Sequence, residues 1–134
     1  MKTITDKTQF TDAYHLTMTA IERFSTLSVN IPKIMHEVVR HIYGRFDDAA
    51  YHLHRAANTY DQKEKLEHLE EAQANLFFQY SSLELLVKTR SVTVGAATEV
   101  IVALRNAHDS TAKWLTSVRK LNGEGSGATA AGIQ

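Results

Sequence analysis

The sequence predicts an all-α protein, four amphipathic helices packed as an antiparallel up-down-up-down bundle, and three observations carry that prediction. Apolar residues recur in steps of three and four along most of the chain, the spacing that keeps one face of a helix turned to a core. Only one proline and six glycines interrupt a chain of good helix formers. The segments between the periodic stretches are short, which favours antiparallel neighbours. At 134 residues the chain makes one domain with a core of its own.

The first helix is expected from about Asp6 to Leu27, with Phe10, Tyr14, Thr17, Ile21 and Phe24 on its core face. A short loop from Ser28 to Ile31 follows, closed by Pro32, whose missing N–H suits a first helical turn. The second helix runs from Ile31 to about Thr59. Its stripe is Ile34, Val38, Ile42, Phe46, Ala49, Leu53 and Ala56, and Met35, Val39 and Tyr43 form a second, shorter apolar strip. A helix with two apolar strips needs two neighbours, either inside the bundle or in another subunit. Asp61 is an N-cap with Glu64 three residues on, the spacing of a capping box. The third helix, Gln62 to Thr89, buries Leu66, Leu69, Ala72, Leu76, Tyr80, Leu83 and Val87, with Phe77, Phe78, Leu85 and Leu86 widening that stripe. Ser91 or Thr93 caps the fourth helix, which extends to about Leu121 through Ala97, Ile101, Leu104, Thr111, Trp114 and Val118. The bundle thus occupies 1–121. The remainder, 122–134, is small and polar in composition and is expected to be flexible.

Composition narrows the chemistry. Cysteine is absent, which removes disulfides and thiolate nucleophiles. No stretch reaches the roughly twenty apolar residues of a membrane span, and MKTITDKTQF lacks the apolar centre of a signal peptide, so a cytoplasmic protein is expected. Fifteen basic residues balance fifteen acidic ones, so net charge gives no argument for nucleic acid. Seven histidines make the charge sensitive to pH below about 6.5.

Catalytic and metal constellations are not in view. His36, Glu37 and His41 approach the H-E-x-x-H zinc pattern, but the second histidine is one residue too far and lies roughly 140° around the helix from the first. His52 and His54 point to nearly opposite faces. Asp12 with His15 and Glu64 with His68 have helical spacing and read as surface pairs. Glu67, Glu70, Glu71 and Glu84 read as a solvated acidic face. There is no G-x-S-x-G and no phosphate-cradling glycine loop. The expectation is a protein without catalytic residues, metal or cofactor. Basic residues do concentrate on the second and fourth helices: Arg40, Arg45 and Arg55 on one, Arg105 and Lys113 on the other, with Lys63 opening the third. Together they would offer phosphate a salt-sensitive surface without base specificity.

Several features spread between Thr8 and Leu121 resemble one family. These are Asn-Ile-Pro-Lys ahead of the second helix with Arg40 beyond it, Leu53 to Asn58 (L-H-R-A-A-N), Lys63 and Lys65 before Leu66 and Leu69, Ser91 to Gly95 (S-V-T-V-G), and Lys113-Trp114. In order and spacing the chain resembles the accessory variability determinant (Avd) proteins of diversity-generating retroelements and the related four-helix proteins of ribosomal RNA intervening sequences. The glutamate-glycine signature of the intervening-sequence branch does not follow Ala56 and Ala57, which favours the Avd branch. The resemblance implies a ring-shaped homo-oligomer, a homopentamer, that binds RNA and the element's reverse transcriptase during mutagenic copying and has no catalysis of its own. On that reading Arg40, Arg45, Arg55, Lys63, Arg105 and Lys113 contact RNA or partner, and Met35, Val39 and Tyr43 contact neighbouring subunits. The family is basic and this chain is neutral, so the RNA contact is expected to be weaker or confined to one patch. Two rivals are a structural adaptor that binds protein without RNA, and a metal-dependent bundle enzyme, which the ligand spacings oppose.

Overall fold

The computed structural model describes residues 2–122, and side chains from Asp6 onward. Four helices account for nearly all of it: α1 (Lys2–Ser28), α2 (His36–Ala57), α3 (Gln62–Lys88) and α4 (Val94–Leu121), with a single 3-10 turn at Lys33–Met35 ahead of α2. No strand occurs among the described residues. The flexibility expected of the segment after Asn122 lies outside them.

The helix ends follow local chemistry. Pro32 sits in extended backbone at φ −58° and ψ 147°, so the chain cannot begin an α-helix there and makes the 3-10 turn first. This shift carries Ile34, expected in the core stripe, into solvent at 87% exposure, while Ile31 is buried in its place. The Asp61 carboxylate accepts from the Lys63 N–H at 3.0 Å. The capping box is only half made, because Glu64 accepts from the Thr59 hydroxyl at 3.1 Å. At the far end of α3, Ser91 N–H reaches Leu86 C=O and Arg90 N–H reaches Val87 C=O, both at 2.9 Å. That is a Schellman closure, with Arg90 at φ 60° where glycine is usual. Of the two candidate caps for α4, Thr93 serves, its hydroxyl accepting from Ala96 N–H at 3.1 Å.

α1 packs most extensively on α4 and α2 on α3, while α3 on α4 and α1 on α2 complete a square. The core falls into two clusters along the bundle. One holds Phe24, Ile42, Phe46, Leu76, Leu83 and Leu104, and the other Leu53, Leu66, Leu69, Trp114 and Val118. On α1 the innermost residues are Ala13, Thr17, Ala20 and Phe24, with Phe10, Tyr14 and Ile21 only half-buried. Alanine at the contact lets α1 and α4 approach closely. On α4, Ala97, Leu104, Thr111, Trp114 and Val118 are buried as expected and Ile101 is half-buried.

The expected α3 stripe needs correction. Leu66, Leu69, Ala72, Leu76 and Leu83 are inside, but Tyr80 and Val87 are only half-buried and their places go to Gln79 and Leu86. Phe77, Phe78 and Leu85 do not widen the inward stripe; they stand outside at 61%, 56% and 43% exposure.

Candidate interaction surface

Along the outer groove between α2 and α3, side chains from both helices meet. Arg45 donates to Ser82 Oγ at 3.2 Å and lies 5.6 Å from the ring centre of Phe78, a cation–π contact that holds the guanidinium at the surface. Further along, His52 Nδ1 and His68 Nδ1 are 2.9 Å apart, so one imidazole must hold a proton and the other accept it. Burial and the neighbouring His68 push the His52 imidazole below its ordinary value, against the opposing pull of Glu71 and Asp48. Helical spacing paired His68 with Glu64; the fold pairs it with His52 instead, a match that depends on the register between α2 and α3. Among the described residues no three histidine, aspartate or glutamate side chains converge as metal ligands.

On the outward face of α3, Ala74, Phe77, Phe78, Ser81 and Leu85 are exposed side by side. Phe77 leans toward α4, with ring centres 5.9 Å from Tyr80 and 6.2 Å from His108. Burial raises the Tyr80 phenol above its ordinary value, opposed by Arg105, which hydrogen-bonds it.

The structure does not bring the six candidate cations together. Arg40, Arg45 and Arg55 lie on α2, Arg105 and Lys113 on α4, and these two helices stand diagonally across the bundle. Arg40 is ion-paired with Glu37, Arg45 is engaged at Ser82 and Phe78, and Arg105 serves Tyr80. Arg55, Lys63 and Lys113 are exposed. Lys113 borders a shallow groove with Asp12, His15 and Asp109, so its surroundings are mixed in charge.

Met35, Val39 and Tyr43, expected at a subunit contact, are half-buried against the chain's own core. The Tyr43 ring meets Phe24 edge-on at 5.2 Å, and its hydroxyl lies 3.1 Å from both Ser25 Oγ and Ser28 Oγ. Of this strip, Tyr43 thus meets α1, while Met35 and Val39 keep part of their surface exposed.

At the end where α1 begins, Lys65 is 5% exposed and ion-paired with Asp6, whose other carboxylate oxygen accepts from Trp114 Nε1 at 2.9 Å. In the sequence Lys65 stands only as the second of a lysine pair with Lys63. Its partner stands far back in the sequence, and no local spacing signals the pairing. A groove of about 450 Å³ opens beside it, lined by Phe10, His54, Asn58 and Gln62 among others. A second groove, about 570 Å³, lies at the opposite end between Arg23, Asn30, Ser91, Thr93 and Glu99. No helix of the described residues is long and apolar enough to cross a membrane. Compared with protein-family models, curated proteins and solved structures, the chain matches none.

Proposed function

We propose that the chain works by binding, as a non-enzymatic, self-associating accessory of the diversity-generating retroelement kind that serves a reverse transcriptase and its RNA in the cytoplasm. The observation that carries the binding reading is the outward face of α3, where Phe77, Phe78 and Leu85 stand in solvent. Adjacent aromatic side chains on a helix that already buries a full inward stripe are typical of an interaction surface. The partner class, and a pentameric ring, rest on the resemblance. An antiparallel up-down-up-down course is supported by the pairs that meet: Gln9 with Ser117, Gln79 with the Ile42 carbonyl, and His52 with His68. RNA contact falls to Arg55, Lys63 and Lys113, and assembly multiplies that modest charge through effective concentration.

Fluorescence anisotropy of a labelled RNA at about 50 and about 200 mM salt tests the RNA arm. Affinity should fall steeply over that range, and joint reversal of Arg55, Lys63 and Lys113 to glutamate should remove the salt-sensitive part. Unchanged binding by that variant refutes the assignment of residues. A native chain that binds at neither salt supports the second reading, an adaptor that contacts protein alone. That reading is favoured by the engagement of Arg40, Arg45 and Arg105 within the chain itself.

A further inference from the structure

The outward face of α3 has a pattern that identifies its occupant. Glu71, Ala74, Phe78, Ser81, Leu85 and Lys88 follow one another in steps of three, four, three, four and three, and all six are exposed. This is the a/d spacing of a coiled-coil seam, turned away from a bundle core that α3 fills with other residues, among them Ala72, Leu76, Leu83 and Leu86. The seam is complementary to itself when reversed. Laid against a second α3 running the opposite way, with the two-fold axis between positions 79 and 80, the large Phe78 meets the small Ser81 of the other copy. Leu85 meets Ala74, and Glu71 at one end meets Lys88 at the other. Each layer then pairs bulk with space or an anion with a cation. Under a two-fold axis every such pair occurs twice.

We infer that α3 is a homodimerisation helix, its outward seam pairing antiparallel with the same seam of a second copy of this chain. The pairing rests on the binding reading above and names the partner of that face. A single copy leaves the seam in water. A partner of other sequence would have no reason to match large with small, and negative with positive, about one central point. The dimer is compatible with a higher ring, in which case the seam joins one ring to another. Arg45 borders the seam at Phe78 on the α2 side, where the flanking Asn75 and Ser82 are small and polar and leave it room.

Mass by light scattering on the full chain tests this. The native protein should run at an even multiple of its 15.0 kDa. Phe78→Glu should halve the mass, and its helical circular dichroism should be unchanged because the position is exposed. Glu71→Lys and Lys88→Glu each place like charges together twice and should raise the dissociation constant at least tenfold. Combining the two restores opposite charges and should restore native association. A native mass of one chain overturns the pairing. So does a combined variant no better than either single one, since charge-swap rescue requires that position 71 meet position 88 of another copy. RNA anisotropy reads the proposed function separately, so loss of either result leaves the other standing.

Discussion

Replacing Asp6 by alanine should be among the most damaging single changes in the bundle, although Asp6 lies near the start of the described chain. Its carboxylate neutralises Lys65, whose side chain is 6% exposed, and accepts from the indole of Trp114 at 2.9 Å. Removing it leaves an ammonium without its counter-charge in the interior and a buried N–H without an acceptor. Breaking a buried pair from one side costs about 3–5 kcal/mol. The Asp6 side chain is 21% exposed, so water reaches the vacated site and the low end applies. The stranded indole adds about 1 kcal/mol. The total of about 4 kcal/mol corresponds to a fall in Tm of about 10–20 °C for a chain of this length. Lys65→Met is far milder, about 1 kcal/mol, because methionine keeps the apolar stem and Asp6 still accepts from Trp114. The double variant D6A/K65M should therefore recover about 2 kcal/mol relative to D6A alone. Urea unfolding followed by circular dichroism at neutral pH measures all four proteins. Equal midpoints for D6A and D6A/K65M would refute the reasoning, because the penalty would then not come from an uncompensated lysine.

Two further tests are smaller. Gln79 is fully buried and donates to the Ile42 carbonyl at 2.7 Å, while its own Oε1 has no partner; Gln79→Leu removes an unsatisfied acceptor and should leave stability unchanged or raise it by up to about 1 kcal/mol, whereas a loss above about 2 kcal/mol would show that the amide is needed. His52 has its imidazole pushed below its ordinary value by burial and by His68, so below about pH 6.5 the unfolded chain binds the proton that the native state resists. Native stability should accordingly be complete above that pH and decline beneath it, and His52→Gln should flatten the decline in a series of thermal melts. An unaltered pH profile in that variant would assign the acid sensitivity to another group.

Much of the fold was legible because the period of the apolar residues reports helices directly. The caps at Asp61 and Thr93, the loop at Ser28 to Ile31, and the inward run from Ile42 to Ala56 all follow from local chemistry. Other features depend on which neighbour covers which face, and periodicity is silent there. Met35, Val39 and Tyr43 made a second strip on α2 that either α1 or another subunit could have covered, and the fold shows that α1 takes Tyr43. Phe77 and Phe78 add apolarity to α3 whichever way they point, so the sequence read them inward. Only the turn of α3 against α2 and α4 reveals that Gln79 and Leu86 occupy the inner positions. Lys65 shows the same limit in charge: its burial depends on Asp6, whose position opposite it exists only once α1 and α3 are placed. The candidate cations failed to converge because adjacency in the square of helices, not richness in arginine, determines what shares a surface.

The neutrality of the chain weighs differently on its two proposed contacts. For RNA it is a handicap, since phosphate binding draws on uncompensated positive charge, and three of the candidate arginines already have partners within the chain. For self-association it removes the long-range repulsion that keeps strongly charged proteins apart, so a short apolar seam is not opposed by the rest of the surface. The seam also restricts its own pairing. Running parallel, it would set Phe78 against Phe78 and Glu71 against Glu71; running antiparallel, it sets each large residue against a small one and each charge against its opposite. Specificity of this kind comes as much from what the wrong arrangement forfeits as from what the right one gains. On the two proposals taken together, a chain with no excess charge and an outward seam of that pattern would meet its own copy first, and RNA contact would follow from how many copies the assembly brings together.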